Sequence, residues 1–326
     1  MAALIDYSKY SEKPPKRKVS GKVFLFLIFT VFISVFAGKS FFAPKESASK
    51  PITKEVKGAV EKKATFFTPE KISTDLEEIV KNELADTQGD YAVAIKHLKT
   101  GESYFYNEHK IFPTGSLYKL FVMGTVFKKI QGGGISQTDI VSQKIPILNQ
   151  KFRISSESAE LTEGDITLPV NSALTRMITI SDNYSALLLT EKVRLSQVAL
   201  FIEENSFTDS KVGTKGLPPV TSAHDMALFF QKLYNNELAT KQLSQEMLTL
   251  LKNQKLNNKL PKYLPKDVHI SHKTGELGKI SHDGGIVYTP KGDYIIVVLT
   301  ETSNPPAANE RISQISKSVY DYFISN

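Results

Sequence analysis

The sequence predicts an α+β fold, with one antiparallel sheet flanked by helices and an all-helical subdomain inserted between its first and last strands. Strand patterns stand only at the two ends of the region 68–326, and helical periodicity fills the interval between them. Composition agrees: 326 residues with 41% hydrophobic content supply a sizeable core without any internal repeat.

The elements follow in chain order. Residues 1–22 form a basic tail, with Lys13, Lys16, Arg17, Lys18 and Lys22 directly before a run from Val23 to Ala37 that is apolar except for Thr30 and Ser34. With Phe41 and Phe42 this run approaches a short membrane span, so residues 23–42 are expected to be a membrane anchor or a signal peptide. Val35-Phe36-Ala37 would suit cleavage after Ala37, but the long basic region favours an uncleaved anchor. The positive-inside bias then places the domain outside the cell membrane. Residues 43–67, with Pro44, Pro51 and mixed Lys, Glu and Ser, read as an extracytoplasmic linker.

The domain itself is expected over 68–326. Thr68-Pro69 would cap a helix carrying Ile72, Leu76, Ile79, Val80 and Leu84, and a hairpin of Tyr91–Leu98 with Ser103–Tyr106 follows through Thr100-Gly101. Thr114 would cap a helix that starts near Ser116, is apolar on nearly all sides through Phe127, and stops at Gly132-Gly133-Gly134; a helix of that kind is central and buried. Helices are expected over Leu168–Ile180, after Asn183, and after Ser222, where Asp225 completes a capping-box pattern. Val268–Lys273, Gly285–Tyr288 and Tyr294–Thr300 are strands, and Ile312, Ile315, Val319, Tyr322 and Phe323 mark a last helix.

Charge narrows the function. Residues 1–66 hold 13 Lys/Arg against 5 Asp/Glu, which leaves 28 against 29 for the rest of the chain. The net charge of +7 therefore belongs to the N-terminal segment, and no nucleic-acid partner is expected. With no cysteine, neither a disulfide framework nor lipid attachment is available.

Three short segments carry the chemistry: Ser116-Leu117-Tyr118-Lys119, Ser181-Asp182-Asn183 and Lys273-Thr274-Gly275. A serine hydroxyl needs a base within reach, and Lys119 lies one helical turn from Ser116; burial on an apolar helix would lower the lysine pKa into a useful range. The Ser116 N–H, unpaired at a helix start, can be half of an oxyanion hole, with the Glu276 N–H as the other half. Ser181 would pass a proton to a leaving amine, Asn183 would bond a substrate amide, and Asp182 would hold the turn. Lys273 and Thr274 would meet a carboxylate, while Gly275 would let a ligand lie along the strand. Taken singly, each segment also reads as something plainer: an N-cap serine with a surface lysine, a polar helix junction, and a strand end with a turn glycine.

Together the three segments resemble the class A β-lactamase-like serine hydrolases of the β-lactamase and penicillin-binding protein superfamily. Met177-Ile178-Thr179-Ile180, Thr221 to Met226, His272 and Ser281-His282-Asp283 leading into Gly285-Ile286-Val287-Tyr288 extend the likeness over about 68–326. It implies a five-stranded-type sheet and an acyl-enzyme on Ser116, with no cofactor. The implied partner is a β-lactam or a peptidoglycan stem peptide, met by a monomer.

The resemblance breaks in two places. Class A enzymes deacylate with an Ω-loop glutamate in a Glu-x-x-Leu-Asn pattern, but Val212-Gly213-Thr214-Lys215-Gly216-Leu217-Pro218-Pro219 holds no acid. Glu191, Glu203, Glu204 and Asp209, the acids of that interval, have no asparagine four residues on. After Arg194 the only arginine is Arg311, so Lys273 and Thr274 would meet a carboxylate alone. His269, His272 and His282 make no zinc pattern, and no metal is expected. The expected function is a membrane-tethered hydrolase with slow β-lactam turnover, with a D,D-peptidase or a non-turnover sensor as alternatives.

Overall fold

The computed structural model describes residues 71–213 and 217–326. The tail, anchor, linker and Thr68-Pro69 cap expected from the sequence lie outside these residues. Among the described residues no helix is long and apolar enough to cross a membrane.

The chain enters through a two-residue strand β1 (Lys71–Ile72) and helix α1 (Thr74–Leu84). Ser73, five residues beyond the expected cap, starts the helix by accepting a bond from the Leu76 N–H. Ile72 is therefore no helix residue, and its side chain is 66% exposed. β2 (Asp90–His97) and β3 (Glu102–Tyr106) form the expected hairpin, and β4 (Phe112–Pro113) leads to a 3₁₀ turn at Gly115–Leu117 and helix α2 (Tyr118–Gln131).

The inserted block is less purely helical than its periodicity suggests. A hairpin of β5 (Ile140–Lys144) and β6 (Asp165–Pro169) brackets α3 (Ile145–Phe152), and β6 takes the first two residues of the helix expected from Leu168. The helices α4 (Val170–Thr179), α5 (Asn183–Val193) and α6 (Leu195–Glu204) follow. β7 (Val220–Thr221) pairs with β4, after which come α7 (Ala223–Tyr234), capped by Ser222 as expected, and α8 (Lys241–Lys252).

β8 (Ile270–Leu277), β9 (Ile280–Val287) and β10 (Tyr294–Glu301) then complete the main sheet, and α9 (Pro305–Ser325) closes the domain. The order is β1-β3-β2-β10-β9-β8, so the last strand pairs with the first hairpin, as a sheet built from both ends requires. Five strands are antiparallel; the sixth, β1, is a parallel edge addition to β3 that the five-stranded expectation lacked.

The strands read as nearly unbroken apolar runs because both faces are covered. Ala92 and Ala94 of β2 and Ile295, Val297 and Leu299 of β10 join α2, α5 and α7 in one core. The alternate residues Val93, Ile95, Ile296 and Val298 pack with α1 and α9 in the other. α2 crosses the first core with Lys119 to Phe127 all buried, which matches its lack of a polar side. β8 is the outer strand of the sheet, and its unpaired edge runs beside the turn that holds Ser116.

Candidate active site

Ser116 sits in the 3₁₀ turn rather than on the α-helix itself. The turn exists because Gly115 takes φ +49 and two backbones must almost touch there: a Cβ on Gly115 would lie 2.8 Å from the Glu276 N. Gly275 answers from the strand, where a Cβ would meet the Thr114 carbonyl oxygen at 2.8 Å and Leu117 Cγ at 3.0 Å. The glycine is thus required by protein packing against the Ser116 turn, a demand the sequence reading did not foresee. Lys273-Thr274-Gly275 also does not end its strand, since β8 continues to Leu277.

The same contacts place the Glu276 N–H beside the Ser116 turn. The Ser116 N–H opens that turn, where no preceding carbonyl of the helix receives it. His282 braces the arrangement from β9: one ring nitrogen bonds the Pro113 carbonyl at 2.9 Å, and the other accepts the Thr300 N–H at 2.9 Å. Burial pushes its pKa down to about 4, so it is neutral at pH 7 with Nε2 carrying the proton.

Lys119 is fully buried, and its amine donates to Ser181 O at 2.5 Å, Ser181 Oγ at 3.2 Å and Asn183 Oδ1 at 2.6 Å. These three bonds tie the amine to Ser181 and Asn183, one helical turn from Ser116 as the sequence spacing places it. Burial pulls the Lys119 pKa down to about 8, against the charges of Asp182 and Glu160, which raise it.

Ser181 occupies the left-handed region at φ +58, between α4 and α5, and this conformation turns its hydroxyl toward both lysines. Lys273, also fully buried, donates to Ser181 Oγ at 2.9 Å and to the Thr274 carbonyl at 2.9 Å. Burial, and then the charge of Lys119, hold its pKa well below the ordinary lysine value. Asp182 holds the turn as expected, accepting the Ser185 N–H at 2.7 Å and the Arg176 guanidinium at 3.2 Å.

The site therefore gathers the expected side chains from α2, the α4–α5 junction and β8. A hydroxyl placed between two depressed-pKa lysines can accept a proton from one and hand one on, which is what breaking an amide demands.

The sequence profile of the Beta-lactamase enzyme family matches residues 74–323. The chain belongs to that family. It is a class A β-lactamase-like serine hydrolase, an enzyme that works through an acyl-enzyme. The Beta-lactamase VEB-1 of Pseudomonas aeruginosa is 24% identical over 271 residues, covering 76% of this chain and 89% of that protein. Among solved structures, PBP-A superposes with a TM-score of 0.72 at 22% identity, over 79% of this chain and 99% of the other. A β-lactamase from Sphaerobacter thermophilus gives 0.68 at 23% identity, over 77% and 98%.

Two residues of this β-lactamase-family site escaped the sequence reading. Glu160, in the loop between α3 and β6, accepts a short bond from Asn183 Nδ2. It precedes Ser181, whereas the Ω-loop acid of the resembled enzymes follows that segment, and nothing in an irregular loop announces such a contact. Lys259 is fully buried in a turn before β8 and pairs with the Glu276 carboxylate. It is a lysine, whereas the resembled enzymes carry an arginine, and a lysine can serve the same electrostatic purpose.

The acids weighed from the sequence stand elsewhere. Glu204 pairs with Lys128, Glu191 with Lys151, and Asp209 contacts His109 and Ser222. Lys211 and Val220 exchange two backbone bonds of 3.0 Å at the two ends of the acid-free segment 212–219. Beneath its described residues lies a cavity of about 650 Å³ lined by Tyr118, Phe121, Leu187, Ile202 and Leu217 among others, with no Asp or Glu in its wall. Of the histidines set aside as zinc ligands, His272 contacts Asp283 and Asn257, while His269 is exposed before β8 starts.

Proposed function

We propose that the chain is a membrane-tethered, extracytoplasmic acyl-serine hydrolase whose Ser116 is acylated by β-lactams or D-Ala-D-Ala-like peptides, and which turns β-lactams over slowly. The convergence of Lys119 and Lys273 on Ser181 Oγ, beside the Ser116 turn, carries the acylation step. Neutral Lys119 takes the Ser116 proton as Oγ bonds to the carbonyl carbon, and the Ser116 and Glu276 N–H groups receive the oxyanion. As the carbon–nitrogen bond breaks, Ser181 gives its proton to the leaving amine and is reprotonated by a lysine. Lys273, Thr274 and the charge of Lys259 face the substrate carboxylate, and Asn183 gives up Glu160 to bind the substrate amide. All these groups come from one chain, which suits a monomer.

Slow turnover rests on the acid-free 212–219 segment and the cavity beside it, whose lining includes Lys151, Arg153 and Lys211 but no acid, where a deacylating water would need a base. A point mutant of PBP-A has been solved as an acyl-enzyme complex with penicillin-G, which supports penicillin as the probe. Intact-mass spectrometry after mixing with penicillin should show an adduct on Ser116 that persists for minutes. Fast multiple turnover without an accumulating adduct would overturn slow deacylation. Loss of that turnover in Glu160→Gln would assign the base to Glu160.

Tethering rests on the basic residues before Val23–Ala37. Full-length protein should stay in the membrane fraction, and external protease should release the domain. A secreted form beginning at Gly38 would establish a cleaved signal instead.

A further inference from the structure

We infer that His109, Asp209 and His224 form a binding site for a zinc-class divalent transition metal, outside the acylation machinery. One potential ligand atom from each residue lies within 4.8 Å of the others. His109 Nδ1 and Asp209 Oδ2 are already 2.8 Å apart, and the two imidazoles face each other with centroids 4.4 Å apart. Tetrahedral zinc bonds of about 2.0–2.2 Å set ligand atoms roughly 3.3 Å apart, so the 2.8 Å pair would open slightly and the wider separations would close. Two imidazoles and one carboxylate, without thiolate, suit zinc with a water in the fourth position.

The ligands are held by a buried frame. His224 Nδ1 lies 3.1 Å from Asp225 Oδ1, the carboxylate–histidine arrangement that orients metal-binding imidazoles. Asp225 is itself fully buried, and its other oxygen receives the Asp209 N–H at 2.9 Å and Ser210 Oγ at 2.8 Å. Asp209 Oδ2 in turn receives Ser222 Oγ at 2.8 Å. An ordinary surface His–Asp pair requires no such support; a ligand set does.

The three ligands come from three segments: the loop between β3 and β4, the turn after α6 and the first turn of α7. The Glu108 carbonyl, accepting the His224 N–H at 2.9 Å, already draws the first of these to the third. β4 follows His109 and pairs with β7, so a bound ion would fasten the approach to Ser116 against the 205–221 segment. No local spacing reveals the trio, because its members are separated by 100 and 15 positions.

Untagged full-length protein, stripped with chelator, should bind one zinc per chain in calorimetry and unfold at a higher temperature with zinc present. Cobalt(II) in its place should give the visible absorption of a four-coordinate site. His109→Ala removes a side chain that is 60% exposed, so folding is not at issue, and it should weaken zinc by roughly tenfold or more. His269→Ala, which removes an exposed histidine elsewhere, should bind as the unaltered protein does. Absence of saturable zinc binding, or equal binding by His109→Ala, would overturn the inference.

Discussion

Lys119 and Lys273 share one acceptor, Ser181 Oγ, at 3.2 and 2.9 Å. Burial lowers the affinity of both lysines for their protons, and the charge of Lys119 lowers that of Lys273 further. The hydroxyl between them can accept a bond from either amine and donate its own proton to whichever is neutral.

Acylation should therefore rise with pH. Lys119 is active as a base only when neutral, and its pKa lies at about 8, so raising the pH through 8 increases the reactive fraction. The second-order rate of penicillin labelling should climb up to tenfold per pH unit below that point and level off above it. A profile that is flat from about pH 6 to 8 would assign the proton transfer to another group.

Ser116→Ala should lose covalent labelling by penicillin while keeping its thermal unfolding, because the turn is set by the close packing of Gly115 and Gly275, which the substitution leaves intact. Lys119→Ala should slow labelling by a general-base factor on the order of 10²–10⁴. Full labelling of the serine variant would place the nucleophile elsewhere.

Gly275→Ala should be damaging for a packing reason. Its methyl would meet the Thr114 carbonyl oxygen at 2.8 Å, forcing β8 and the Ser116 turn apart. A loss of about 1–3 kcal/mol in chemical denaturation is expected, with slower labelling. Unchanged stability would mean that the turn shifts freely.

Lys259→Met keeps the apolar stem but removes the buried charge beside Glu276. Labelling by penicillin, which carries a carboxylate, should slow by roughly tenfold, the low end of a lost charge-assisted contact worth about 1.5–3 kcal/mol. A thioester substrate without a carboxylate should acylate at the original rate. Equal slowing of both would point to general damage.

The fold class and the three catalytic segments were legible because each is local. Alternating or helical apolar patterns report burial of one face, and a serine three residues from a lysine, or glycine after lysine and threonine, stays together in any conformation. Local patterns also misplaced some features: the Thr68-Pro69 signal set the expected helix start five residues before the Ser73 cap, and the short hairpin β5–β6 falls in a stretch that reads as part of a helical block. Only the tertiary structure could bring Ser181 between two lysines 62 and 92 positions from it, deliver Glu160 to Asn183, bury Lys259 against Glu276, and show that Gly275 serves the Thr114 turn. The reason is physical. Sequence spacing specifies which side of its own helix or strand a residue occupies, whereas the partner across the cleft depends on how separate elements pack over a shared core.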